Sequence, residues 1–274
     1  MSVKKSVKDD SLTLHFKGIN ASIVNAIRRT VIIDIPAWSI NQFEVEENTS
    51  PLIDEYITRR ISLVPMNNEM FKDGTTPQVF TLDVKATKEG ILNVYSHDIK
   101  PKGNYFRPNI VIAKLKGKDP DRYESLRIRM SAERNTHRHH ASFSSVTAIE
   151  YDLNEANNTC KMVINGNQTY KVETLFQMTL DILIDKLKNV ESKMEIIELP
   201  ENMTKIKIDN EDDTLGQLLQ TYIMDNYKEV SFISANKPHP LEEHIIVEIK
   251  TTLDVKKVIN ETLQKLIKIF EKFY

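Results

Sequence analysis

Ser11-Leu-Thr-Leu-His-Phe-Lys17, then Asn20-Ala-Ser-Ile-Val-Asn-Ala-Ile-Arg-Arg-Thr-Val-Ile-Ile33, then Trp38-Ser-Ile-Asn-Gln-Phe-Glu-Val-Glu46 read as strand, helix, strand. The outer runs alternate apolar and polar residues, whereas the middle one sets Ile23, Val24, Ile27 and Val31 at spacings of three and four. Asp34-Ile-Pro36 stops the helix, because the residue before a proline avoids the helical region. Far downstream a strand at 143–153 and a helix at 173–189 complete the unit. The order then returns without the intervening stretch: strand 204–209, helix 215–224, strands 230–234 and 244–250, helix 253–273. The fold class is therefore α+β, with two half-modules in one chain. Related modules associate through equivalent faces about an approximate twofold axis, so this pattern predicts a pseudo-dimer joined in cis. It suits a scaffold better than a catalyst.

Residues 1–66 and 137–190 are assigned to the first module, 67–136 to a β-rich inserted subdomain, 191–202 to a linker and 203–274 to a second, smaller module. The insertion is punctuated by Asp73-Gly74, Lys102-Gly-Asn104 and Gly117-Lys-Asp-Pro120, with short strand-like runs at 80–84, 91–95 and 110–113. A short helix after the loop at 46–51 is expected to align Ile53, Ile57 and Ile61 on one face. The last helix carries a broad stripe of Leu253, Val255, Ile259, Leu263, Leu266, Ile267, Phe270 and Phe273, and 173–189 carries a matching one. Ile23, Ile27, Leu215, Leu218, Leu219, Ile259, Leu263, Leu266 and Phe270 are the candidate module-pairing residues.

With 274 residues the chain is long enough to bury a core without disulfides. A net charge of −2 argues against a surface that grips nucleic acid along its whole extent. One cysteine, Cys160, excludes an internal disulfide and a multi-cysteine zinc site. The N-terminal run has no apolar signal-peptide core and no window reaches about 20 apolar residues, so a soluble, reducing, intracellular setting without membrane contact is expected.

No constellation of nucleophile, base or metal ligands assembles from the sequence. The acidic run Asp209, Glu211, Asp212, Asp213 fails as an EF-hand, because Thr214 stands where glycine is needed and Gln220 where glutamate is needed. It is expected to cap the next helix through Asp213 or Thr214. His137, His139 and His140 lack cysteines or a repeated ligand spacing and read as a solvated junction. Arg127, Arg129, Arg134 and Arg138 form a basic strip, a candidate nucleic-acid or partner contact, set against the plainer reading of a charged strand edge. The pairs Arg28, Arg29 and Arg59, Arg60 sit beside apolar stripes. Arginine forks bind carboxylates and backbone oxygens there, either across a protein interface or internally with Glu46, Glu47, Asp54 or Glu55.

Three ordered blocks, Asn25-Ala-Ile-Arg-Arg29, Glu46-Glu-Asn-Thr-Ser50 and Asp54-Glu-Tyr-Ile-Thr-Arg-Arg-Ile-Ser-Leu-Val-Pro65, closely resemble the N-terminal signature of the alpha-like subunits of multisubunit DNA-directed RNA polymerases. The stretch from His140 to Tyr151 resembles the re-entry of that family's chain into its dimerisation sheet. Asp209-Asn-Glu-Asp-Asp-Thr-Leu-Gly-Gln-Leu-Leu219 and Lys237-Pro-His-Pro-Leu-Glu-Glu-His244 are similar to the smaller alpha-like partner. The resemblance implies a fusion of the two alpha-like subunits, as in large DNA viruses that encode their own polymerase. It implies a non-catalytic platform for the two largest subunits and candidate small subunits, meeting DNA only through the complex. It places no cofactor in this chain, the Mg²⁺ of the holoenzyme lying in another subunit. A viral source would put it in host cytoplasm and virion, a cellular one in nucleus or cytoplasm. On the same resemblance Asn25, Arg28, Arg29, Glu47, Asn48, Thr49, Asp54, Glu55, Arg59 and Arg60 are candidate subunit-interface residues. The insertion lacks the cysteine-rich metal loop of many cellular homologues.

Overall fold

The computed structural model describes residues 2–71, 79–117, 123–154 and 156–274. The expected turns at Asp73-Gly74 and at 118–120 lie outside the described residues. The chain opens with the hairpin β1 (Ser2–Lys8) and β2 (Ser11–Lys17), followed by helix α1 (Ala21–Ile33). Next come β3 (Pro36–Asn48), α2 (Asp54–Ser62), β4 (Val79–Lys85), β5 (Gly90–Tyr95), β6 (Val111–Gly117) and β7 (Ser125–Thr136). The first unit then resumes with the hairpin β8 (Val146–Asn154) and β9 (Thr159–Gly166) and helix α3 (Val172–Lys193). A second unit follows: hairpin β10 (Met194–Leu199) and β11 (Met203–Asp209), helix α4 (Asp213–Asn226), hairpin β12 (Val230–Asn236) and β13 (His244–Thr251), helix α5 (Val255–Glu271).

The two units repeat in topology as well as in order. One sheet runs β1-β2-β9-β8 and the other β10-β11-β13-β12, antiparallel throughout. The turn from the second strand into the first helix is the same length in both. Gly18 and Asn210, each the residue after the strand, take left-handed φ values of 70° and 56°. Two residues later Asn20 and Asp212 cap α1 and α4 with their side chains. Between them, the buried Ile19 of the first unit is replaced by the buried Glu211 of the second.

Helices pack on their counterparts, α1 on α4 and α3 on α5. One continuous core runs from Leu12, Leu14 and Phe16 through Ile27 and Leu183 to Ile206, Leu219, Ile259 and Phe270. The end of α5 reaches the other unit's sheet, where Phe273 meets Phe16 edge-on with centroids 5.4 Å apart. Each fully buried Leu, Ile or Phe contributes about 1.5–3 kcal/mol relative to exposure, so the shared core ties the two units energetically.

A second core holds the inserted region together. β3, β7 and β4 form a sheet with β7 in the middle, and β5 and β6 form a two-stranded ribbon beside it. Ile40 of β3, together with Ile57 and Ile61 of α2, is buried in this second core with Phe80, Leu115 and Ile128. The packing therefore groups β3 and α2 with the insertion rather than with the first module, where the 1–66 boundary had put them.

Asn68 joins the two bodies. Its Oδ1 accepts from the Trp38 backbone N–H at 2.6 Å and the Tyr170 hydroxyl at 3.2 Å. Its Nδ2 donates to the carbonyls of Trp38 and Met66 at 3.2 and 3.1 Å.

The expected linker at 191–202 is ordered secondary structure. Helix α3 continues to Lys193 and β10 follows at once, pairing with β11 from Met194↔Ile208 to Leu199↔Met203. Two further corrections concern single residues. Ile53 precedes the first turn of α2 as its cap position and is 67% exposed, so the buried face is carried by Ile57 and Ile61. Asp212 caps α4 in place of Asp213 or Thr214, its carboxylate accepting from the Thr214 backbone N–H at 2.9 Å. Among the described residues no helix is long and apolar enough to cross a membrane.

Candidate module junction and docking face

The candidate pairing residues Ile23, Ile27, Leu215, Leu218, Leu219, Ile259, Leu263, Leu266 and Phe270 are all buried in the one shared core. Around its edge runs a chain of charges that crosses from unit to unit. Asp34, at the C-terminal end of α1, accepts from Lys186 of α3 at 2.8 Å and from Arg138 at 2.9 Å. Arg138 also donates to Asp212 at the start of α4, at 2.7 Å. Arg29 of α1 donates from Nε to the Thr214 hydroxyl at 2.8 Å and lies 3.7 Å from Asp212.

Burial by itself would disfavour the Asp212 anion, but the hydrogen bonds from Arg138 and Thr214 outweigh it and hold this carboxyl well below the usual range. Glu211 behaves oppositely. It is 5% exposed, burial pushes its carboxyl above the ordinary glutamate value, and the Lys193 ammonium at 3.0 Å offsets this in part. Its Oε2 has no partner among the described residues.

Each arginine of the two pairs makes a contact within the chain. Arg28 Nη2 donates to Asn25 Oδ1 at 2.8 Å along α1, while its buried Nε has no partner among the described residues. Arg60 donates Nε to the Ile112 carbonyl at 2.8 Å and Nη2 to that of Val111 at 2.5 Å, binding α2 to β6. Arg59 reaches the Nε2 atom of His140 at 2.5 Å. None of the four pairs with Glu46, Glu47, Asp54 or Glu55.

Residues Glu47, Asn48, Thr49 and Asp54 brace the end of β3. Glu47 accepts from the Ser125 hydroxyl, and Thr49 Oγ1 accepts from the Ser125 backbone at 2.7 Å. Asn48 donates to the Leu52 carbonyl at 2.8 Å and to Asp54 at 2.7 Å. Glu55 is exposed. Its outward neighbours, Ile53 and the 51%-exposed Tyr56, escape a sequence reading because an isoleucine four residues before Ile57 looks like part of the buried stripe.

The basic strip lies on a central strand, not an edge. Arg129 pairs with Glu46 at 2.6 Å, and Arg127 lies 3.6 Å from Asp83 and 3.9 Å from Glu47, across the sheet on either side. Arg138 belongs to the junction just described, and Arg134 is exposed beside Trp38 in the register of β3 and β7. Cross-strand pairing neutralises much of the strip's field. His140 caps a short turn, its Nδ1 2.8 Å from the Ser142 hydroxyl. Burial first, then Arg59, His139 and His137, lowers its pKa. Among the described residues no group of three or more His, Cys, Asp or Glu is arranged to hold a metal ion.

Signals for the junction residues were present only locally. Asp212 stood in a recognisable capping run, but its partners Arg29 and Arg138 lie far away in sequence.

Comparison with known proteins agrees with this architecture. The family model for the RNA polymerase Rpb3/Rpb11 dimerisation domain matches residues 204–274. DNA-directed RNA polymerase subunit Rpo3 of Pyrococcus furiosus is 33% identical over 114 residues, 39% of this chain and 44% of that protein. The Rpo3 subunit of Methanocaldococcus jannaschii is 28% identical over 178 residues, 65% of this chain and 87% of that protein. DNA-directed RNA polymerase II subunit RPB3 of Schizosaccharomyces pombe is 22% identical over 174 residues, 54% of this chain and 58% of that protein. The matched stretch thus spans under half the length of the Pyrococcus relative. With a mixed α+β fold and a match to the Rpb3/Rpb11 dimerisation-domain model at 204–274, the chain is similar to the Rpo3 and RPB3 subunits of DNA-directed RNA polymerases.

Proposed function

We propose that this chain is a non-catalytic assembly platform of a multisubunit DNA-directed RNA polymerase. Two alpha-like modules, a larger and a smaller, are fused and pair in cis, and the outer face docks the two largest subunits. The observation that carries the reading is the single core shared by two units of identical strand order, with α1 on α4 and α3 on α5. The similarity to Rpo3 and RPB3 subunits supplies the functional direction. Fusion removes a bimolecular step, because a partner module on the same chain is present at an effective concentration on the order of millimolar. On this reading catalysis and its Mg²⁺ belong to another subunit, and the complex works inside a cell, in host cytoplasm if the source is a large DNA virus.

The test is affinity purification of the tagged full chain from its source. Mass spectrometry identifies the co-purifying chains, and template-dependent nucleotide incorporation is measured. One copy of this chain with two large subunits and polymerase activity is the expected result. Recovery of the chain without large subunits would refute the platform reading.

A further inference from the structure

The outward side of α2 and the β5–β6 ribbon form a groove of about 330 Å³. Its lining includes Pro51, Leu52, Tyr56, Ile91 and Ile112. One face of the ribbon packs on the second core through Val94, Ala113 and Leu115. The opposite face sets the 66%-exposed Ile91 directly across from Lys116 in the antiparallel register, and Asn93 across from Lys114. Ile91 of the ribbon and the 51%-exposed Tyr56 of α2 line the same groove, an apolar surface of the kind that marks an interaction site.

Among the described residues, the charged side chains that line this groove are of one sign: Arg60, Lys114 and Lys116. The Glu124 carboxylate nearby is engaged by the Lys116 backbone N–H at 2.7 Å. Arg60 is held in place by the Val111 and Ile112 carbonyls and lies 5.8 Å from the Tyr56 ring centroid, so its charge is fixed at the groove's lip. Neither Lys114 nor Lys116 forms an ion pair with a described residue.

We infer that this groove is a docking site for an acidic segment of another protein chain, which inserts an apolar side chain against Leu52, Tyr56 and Ile91 while its carboxylates meet Arg60, Lys114 and Lys116. Apolar contact supplies the anchor, and the three cations select the sign of the partner and steer its approach. This deepens the platform reading by giving one docked segment a chemistry, and it rests on that reading for the identity of the complex.

The experiment places a benzophenone photo-cross-linker at Ile91 in the full chain and identifies the cross-linked peptide in the assembled complex. The expected product is a peptide of another subunit with excess Asp and Glu around an apolar residue. The double variant Lys114→Glu, Lys116→Glu should lower its cross-linking yield at least tenfold, with the fold checked by circular dichroism. A cross-link to a basic segment, to nucleic acid or to a second copy of this chain would overturn the inference, as would an assembled complex with no cross-link.

If no polymerase complex is recovered, the platform reading has failed, and the groove is judged separately on the purified chain. Paired synthetic peptides carrying the same Leu and Phe anchors, one among Glu and one among Lys, are compared by fluorescence anisotropy alongside phosphatidylserine vesicles. At least tenfold preference for the Glu peptide, abolished in the double variant, supports an acidic partner. Equal binding of both peptides, or binding of the vesicles alone, overturns it.

Discussion

Replacing Asp212 probes the junction most directly, because one side chain there serves two purposes. Its Oδ1 caps α4 and its Oδ2 receives Arg138 from outside the second unit. Loss of a cap costs about 1 kcal/mol. Breaking a fully buried ion pair costs about 3–5 kcal/mol, but the Arg138 side chain is 50% exposed and keeps Asp34, so about 1–2 kcal/mol is expected here. Asp212→Asn can retain the cap and should lose about 1–2 kcal/mol, whereas Asp212→Ala should lose about 2–3 kcal/mol.

Denaturant unfolding at neutral pH measures both, and a double-mutant cycle with Arg138→Met isolates the pair. A coupling of about 1 kcal/mol or more is expected, and additivity within about 0.5 kcal/mol would refute the cross-unit link. The pH dependence gives an independent check. The folded pKa of Asp212 lies below its unfolded value, so its contribution is fully present above about pH 4 and is lost as pH falls toward the folded value. The stability of the wild-type chain and that of Asp212→Asn should therefore converge in acid. A gap that stays constant down to the lowest pH at which the chain folds would mean that ionisation is not the source.

Asn68→Ala should destabilise by about 2–4 kcal/mol, since it strips partners from the buried Met66 carbonyl and the part-buried backbone of Trp38; a loss under about 0.5 kcal/mol in urea unfolding would contradict its bridging role. Leu266→Ala removes a fully buried side chain of α5, with an expected loss of about 2–5 kcal/mol. Hydrogen exchange should then rise in both four-stranded sheets together, and a rise confined to the second unit would argue against one cooperative core. Gly117→Ala would bring a Cβ to 2.0 Å from the Lys88 carbonyl oxygen, a backbone clash. Loss of at least about 1–3 kcal/mol is expected, and an unchanged melting temperature would show that the ribbon's end can shift freely. In light scattering the isolated chain should have the 31.7 kDa mass of one copy; twice that mass would favour exchange of units between chains.

Sequence patterning revealed the elements that bury a full face and hid those that do not. Helix α5 and strand β11 announced themselves because their apolar positions follow one period without interruption. Strands β1 and β10 did not, since each lies at a sheet edge. Val3 is the single partly buried residue of β1, while Ile197 and Leu199 of β10 stay substantially exposed. The grouping of β3 with the insertion depended on its long pairing with β7, a contact no local pattern encodes. At the candidate site the arginines were visible as residues, but their partners were not. Arg29 meets Thr214 across 185 positions of sequence, and Arg60 binds carbonyls that carry no residue-specific signal at all.

In the second unit a short connection joins α4 to β12, whereas in the first the same connection holds the whole body from β3 to β7. A perfect twofold object presents identical ends, and nothing approaching it can tell left from right. The inserted body removes that degeneracy: one end of the paired helices carries an extra domain and the other a tight bend. On the platform reading proposed above, two different partners take one end each, so orientation in the assembly follows from where the chain was interrupted.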